Sequence, residues 1–187
     1  MVEKYLITWC SSTLASLKSA SLFNWHYAHD NITFSQVVKS IDIINKKFVS
    51  KGVRIEVLRK DDNSALIYVY RINQLMKDMS NIAVRNFLGK CGYQKFEIEY
   101  LVNRLKKRLV DLKSFPHEIG LFLGYPIEDV EGFIKNKGNN FKCCGYWKVY
   151  GDKEKAVKEF AKYDKCTMIY RKLWSQGRSI MKLTVAA

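Results

Sequence analysis

The sequence predicts a single α+β domain over residues 1–187, with a mixed sheet of about five strands packed against helices. Three observations carry this. Two β-rich runs, Val53–Arg59 and Ala65–Arg71, flank the polar loop Lys60-Asp61-Asp62-Asn63-Ser64, which is the pattern of a hairpin. Several longer segments show apolar residues at helical spacing between recognisable start and stop signals. Finally, 187 residues with 48% hydrophobic and 27% charged side chains make one ordinary globular unit, with no repeat, linker or low-complexity tract.

Taken in order, residues 10–18 read as a short helix, and Leu22-Phe23-Asn24-Trp25-His26-Tyr27 as a strand. A helix follows with strong signals. Thr33 is an N-cap, Gln36 completes a capping box, and Ile32 and Val37 stand where a hydrophobic staple would. Phe34, Val37, Val38, Ile41, Ile44 and Phe48 keep helical spacing, and Gly52 suits a left-handed stop. In the hairpin at 53–71, Val53, Ile55 and Val57 alternate with Arg54 and Glu56, giving one wet face. Ala-Leu-Ile-Tyr-Val-Tyr is apolar on both faces, which places the second strand centrally.

Short helices are expected at 72–79 and 81–89, ending at Gly92, and a longer one at 95–112. The long helix buries Ile98, Leu101, Val102, Leu105, Leu109 and Leu112, and carries Arg104, Lys106, Lys107 and Arg108 on its other faces. Glu118–Gly124 reads as a buried strand that runs into a helix opened by Pro126 and closed at Gly138. Phe141–Tyr150 is the last strand. Asp152 caps a final long helix over 153–175, Gly177 stops it, and Ser179 starts a last turn.

The formal net charge is +14, divided between the halves: 13 basic and 7 acidic residues in 1–93, 19 and 11 in 94–187. There is no basic tail, but the overall field favours anionic partners, either a nucleotide-like ligand or nucleic acid. Arg104, Lys106, Lys107 and Arg108 are the candidate phosphate-contacting surface, against the plainer reading of a solvated helix face. No stretch reaches the roughly 18 apolar residues of a membrane-spanning helix, and the N-terminal apolar run is too short for a signal peptide. A cytoplasmic protein is expected.

Five cysteines, an odd number with no C-x-x-C pair, exclude zinc-finger spacings and argue for reduced thiols. Cys10, at the start of the first expected helix, has a reason for a lowered pKa, and His26 and His117 are its candidate partners for a Cys/His pair in space. Cys143 and Cys144 are strand neighbours. One faces the core, and the other becomes reactive if Lys142, Lys148 or a helix end lowers its pKa.

The densest chemistry lies in 115–132, where a strand leads into a helix N-terminus that offers free N–H groups to an anion. Walker and dinucleotide glycine spacings are absent. Glu128 and Asp129 fit the helix dipole better than they fit a phosphate. His117 and Glu118, adjacent on an expected strand, point to opposite faces and form no ready acid–base pair. Tyr146, Trp147 and Tyr150 beside Lys148 suit base stacking, although core packing is the default for such rings. No hydrolase elbow, zincin motif or paired-carboxylate motif is present, so the sequence does not decide whether the chain is an enzyme and names no cofactor.

Three blocks of the chain resemble the domain of unknown function 3793 family, found mainly in anaerobic bacteria. They are Cys10-x-x-Thr13-Leu14 with Leu17-Lys18 and Leu22-Phe23; Phe115-Pro-His-Glu-Ile-Gly-Leu-Phe-Leu-Gly-Tyr-Pro-x-Glu-Asp-Val-x-Gly-Phe133 with Gly138; and Gly145-Tyr-Trp-Lys-Val-Tyr150 with Tyr163-Asp-Lys-Cys166 and Gly177-Arg178-Ser179. Trp9 stands where members of that family often carry His. The resemblance implies no activity. It directs attention to Cys10, Lys18, His117, Glu118, Asp129 and Lys148, and with Tyr125 these make the candidate ligand-binding set. The leading expectation is a non-catalytic binding protein for an anionic partner. The alternatives are a thiol-, metal- or haem-dependent redox protein using Cys10, Cys143, Cys144 and His117, and a protein–protein interaction subunit.

Overall fold

A computed structural model describes residues 2–111 and 115–186. Its first core explains the two-sided apolar strand. Strands β1 (Ala20–Trp25), β2 (Val53–Lys60) and β3 (Ala65–Arg71) form an antiparallel sheet in the order β1-β3-β2. Ala20 pairs with Tyr70 and Trp25 with Ala65 on one side of β3; Val53 pairs with Arg71 and Val57 with Ile67 on the other. All seven β3 residues are buried, as a central strand covered on both faces requires.

One face of the sheet packs Ile67 and Val69 against α1 (Val2–Leu14), α2 (Phe34–Phe48) and α9 (Ile180–Leu183). The opposite face packs Leu66, Tyr68 and Tyr70 against α3 (Ile72–Met79), α4 (Ile82–Lys90), α5 (Ile98–Asp111), α6 (Ile119–Phe122) and α7 (Ile127–Lys135). A second antiparallel sheet joins β4 (Cys143–Cys144) to β5 (Lys148–Val149), and α8 (Lys153–Ser175) returns along α1.

The α+β class is as expected, and the described residues hold five strands, but these divide into two antiparallel sheets in place of one mixed sheet. The Thr33–Gln36 capping box is present, with both reciprocal bonds made. Gly52 is left-handed at φ 63°, closing a 3-10 turn at Val49–Lys51. The first helix is longer than 10–18 and sits earlier, at Val2–Leu14. Leu112 lies outside the described residues.

Two segments differ in kind. Glu118–Gly124 is a single helical turn, not a strand: Leu123 N–H donates to the Ile119 carbonyl at 3.0 Å and Tyr125 N–H to Gly120 at 2.9 Å. Every residue of α6 is buried, so the segment lacks the wet face whose spacing separates helix from strand. Phe141–Tyr150 is a tight hairpin rather than one strand, turning through Gly145-Tyr146-Trp147. A side chain at Gly145 would collide with the Phe160 ring. Pro126 occupies the N-cap of α7, one residue before its expected place.

Arg71 ties the first face together. It is 2% exposed, yet no carboxylate pairs with it among the described residues. Its guanidinium instead donates to the carbonyls of Thr13 (2.6 Å), Leu14 (2.6 Å) and Val185 (2.8 Å). These carbonyls include the buried end of α1, where a helix leaves acceptors without internal donors and the dipole favours a cation. Arg71→Met keeps the apolar stem but removes three charge-assisted bonds; the Thr13 and Leu14 carbonyls keep the Ser16 and Val185 N–H groups, and the Val185 carbonyl loses its donor. The substitution is expected to cost about 3 kcal/mol or more, read as a lower urea midpoint with an unchanged m-value. A loss under about 1 kcal/mol would show that the three bonds add little beyond the cost of desolvating the guanidinium.

Candidate functional site

The candidate site grows from the loop after α1. Leu17 and Lys18 N–H groups turn back to the Ser12 carbonyl at 2.9 and 3.2 Å, and Ser16 takes a left-handed conformation at φ 62°. Gln74 Nε2 holds Ser16 at its carbonyl (3.0 Å) and its hydroxyl (2.9 Å). Arg71 N–H donates to the Ser19 carbonyl at 2.9 Å. The short loop is therefore tied on both sides, and it directs Lys18 inward.

Lys18 is 9% exposed, and no ion pair among the described residues includes it. Its Nζ lies 5.1 Å from the Tyr125 ring centre and 5.8 Å from that of Tyr146. Both rings present a cation–π face, which only partly replaces lost water. Burial therefore lowers its pKa to about 8. Behind it, Cys10 has no exposed surface, and burial pushes its thiol up, opposed in part by the Lys18 charge. Cys10 sits near the end of α1, not at a helix start, so the reason for a lowered thiol pKa disappears.

Asp129 builds the wall facing Lys18. Its Oδ2 accepts from Trp147 Nε1 at 2.7 Å, and its Oδ1 from the Tyr150 and Gly151 N–H groups, each at 2.7 Å. Both oxygens are engaged in clamping the β4–β5 hairpin to the start of α7. Gly132 permits the close seat, because a Cβ there would stand 2.5 Å from Tyr150 Cβ. Trp147 then stacks on Tyr125 at 4.9 Å, and the Tyr125 hydroxyl donates to the Tyr146 carbonyl at 3.0 Å. Phe160 and Tyr163 of α8 brace Trp147 and Tyr146 edge-on.

Tyr125, Asp129 and Trp147 are shared by two cavities. One, of about 340 Å³, is mostly apolar and takes in His117, Phe133, Cys144 and Lys148. The other is a cleft of about 520 Å³ edged by Lys77, Asp78, Glu128, Lys155 and Glu159. A third, of about 230 Å³, shares Lys77, Asp78, Gly124 and Tyr163 with the cleft and contains Lys18.

The structure thus gathers Lys18, His117, Tyr125, Asp129, Cys144 and Lys148 around one aromatic wall. Lys148 Nζ donates to the Gly138 carbonyl at 2.7 Å and lies 4.9 Å from the Phe141 ring centre. His117 is exposed at the rim, edge-on to Phe133 at 5.2 Å.

Other candidates lie elsewhere. Glu118 is the N-cap of α6, not a strand residue, and its buried carboxylate accepts from Arg108 and from the Tyr93 hydroxyl. Lys106 pairs with Glu56 at 2.5 Å, Arg104 is half-buried, and Lys107 is exposed. The α5 face therefore spends two of its four cations on carboxylates of the same chain. Cys143 is half-buried and Cys144 exposed. Among the described residues no group of three or more His, Cys, Asp or Glu is arranged to hold a metal, and no helix is long and apolar enough to cross a membrane. Sequence reading missed Gln74, Asp78 and Tyr163; only Tyr163 carried a signal, in the third block of the family resemblance.

Lys18 carries a stability signature. Cys10, Tyr125 and Tyr146 surround it, with Asp78, Lys77 and Tyr163 across the cavity. Its folded pKa, about 8, lies below the unfolded value of 10.5, so the cost of the buried charge is complete below pH 8 and disappears as pH rises toward 10.5. Lys18→Met is expected to stabilise by about 2 kcal/mol at pH 7. The gain over wild type should fade by pH 10, measured by urea unfolding at both pH values. A gain independent of pH would show that Lys18 is not a desolvated cation.

No curated protein and no solved structure matches the chain. One family does, over residues 6–184 of 187, a span that contains every residue of the aromatic wall. The chain belongs to the family described as Protein of unknown function (DUF3793).

Proposed function

We propose that this protein binds a small anionic molecule with a planar, nucleotide-like ring against the Tyr125–Trp147 wall. The carrying observation is the 340 Å³ cavity, whose apolar and aromatic lining is joined at its polar edge by Lys148 and His117. Its size lies within the range of small-molecule sites, about 300–1,000 Å³, and such sites pair apolar walls with a few placed polar groups. The ring of the ligand would lie on the aromatic side chains, and its anionic group would meet Lys148. Asp129 keeps the wall rigid through its three bonds. A single small ligand is favoured over nucleic acid because Lys106 and Arg108 on α5 are already matched by Glu56 and Glu118.

The reading is tested by titrating the protein with AMP and with inorganic phosphate while following tryptophan emission. AMP is expected to give a saturable change that Trp147→Phe abolishes. Lys148→Ala should weaken it about tenfold or more, the worth of one charge-assisted hydrogen bond. Affinity should fall less than about tenfold between 50 and 200 mM salt, whereas a polyanion partner would lose roughly a thousandfold. Absence of a saturable change, or equal affinity after Lys148→Ala, would overturn the proposal.

A further inference from the structure

Lys18 has no part in the aromatic cavity's proposed work, and its surroundings suit a different chemistry. An amine that is only structural is normally exposed or paired with a carboxylate. Lys18 is neither, and it opens on a cavity of its own. Gln74 also lines that cavity. Gln74 donates twice to Ser16, but its Oε1 is buried and has no hydrogen-bond donor among the described residues. Asp78 also lines the cavity and accepts a hydrogen bond from the Ser19 hydroxyl. Lys77, exposed at the edge shared with the larger cleft, supplies a positive charge at the entrance.

We propose that Lys18 is a nucleophilic amine that forms a Schiff base with a small aldehyde or ketone carrying an anionic group. The Nζ lone pair attacks the carbonyl carbon. A C–N bond forms, and the carbonyl π electrons move to oxygen, which takes up a proton as the nitrogen loses one. The resulting carbinolamine expels its hydroxyl as water, with a proton supplied from the cavity, and the remaining nitrogen lone pair forms the C=N bond. That proton comes from solvent admitted by the cavity, which Asp78 also lines. Lys77 selects for the anionic substituent. The lowered proton affinity of Lys18 leaves on the order of 100-fold more free amine at pH 7 than an ordinary lysine has. This inference stands apart from the AMP reading, since none of Lys18, Gln74 and Asp78 lines the aromatic cavity.

The test uses wild-type protein, glyoxylate as the probe and cyanoborohydride to reduce the imine, with peptide mass spectrometry locating the carboxymethyl group. At pH 7, Lys18 is expected to be labelled about tenfold faster than exposed Lys153, in keeping with its larger free-amine fraction. Its rate should rise with pH and level off near 8, well below the range in which an ordinary lysine amine does so. The Lys18:Lys153 labelling ratio should be higher with glyoxylate than with uncharged propanal. Lys18 left unlabelled, labelled no faster than Lys153, or following the Lys153 pH profile would overturn the nucleophile. Equal ratios with the two aldehydes would overturn the anionic class. None of these readouts depends on a variant that must fold.

Discussion

A buried guanidinium without a carboxylate is the constraint around which this molecule is arranged. Arg71 ends the central strand β3 and spends Nε and Nη2 on the carbonyls of Thr13, Leu14 and Val185, while Nη1 is buried without an acceptor among the described residues. Desolvating a guanidinium is expensive, and here the offset comes from three carbonyls, two of them at the negative end of α1, where Ser16 and Val185 N–H groups share them. The result fixes three distant pieces of chain against one another: the end of α1, the end of β3 and the segment after α9.

The loop that carries Lys18 starts at that junction. Arg71 holds the loop through its backbone, Gln74 holds it one helical turn further on, and both belong to the β3–α3 connection. Lys18 is thereby committed inward, toward rings set in place by a separate device, the threefold use of Asp129. Two polar anchors, one on each side, thus present a desolvated amine to an aromatic wall. Neither anchor is free for ligand chemistry, which separates the residues that build the site from those available to act in it.

Much of the frame was legible in the sequence. The capping box at Thr33 and Gln36, the stop at Gly52 and the two-sided apolarity of β3 are local or nearly local, and each has one physical reading. The segment 118–124 was not legible, because a stretch buried on every side loses its period. The 141–150 hairpin was missed because its turn is stabilised from outside, by Asp129 and by the fit of Gly145 under Phe160. His117, Tyr125, Asp129 and Lys148 could be flagged by residue type and family resemblance, but not the division of labour among them. Asp129 looked like a dipole partner or ligand, and its clamp needs Trp147, Tyr150 and Gly151 brought to it. Gln74 and Asp78 carried no signal, since their closeness to Lys18 depends on Arg71 joining segments more than fifty residues apart.

The account therefore depends on Lys18 being a desolvated amine held against aromatic rings. The most direct measurement is an NMR titration of lysine Cε resonances in protein labelled with 13C-lysine, with Lys18→Arg used to assign the signal. The account predicts one resonance, shifted by the Tyr125 and Tyr146 rings and absent in Lys18→Arg, that titrates near pH 8. A Lys18 signal that titrates with the exposed lysines, near the ordinary value of about 10.4, would contradict it.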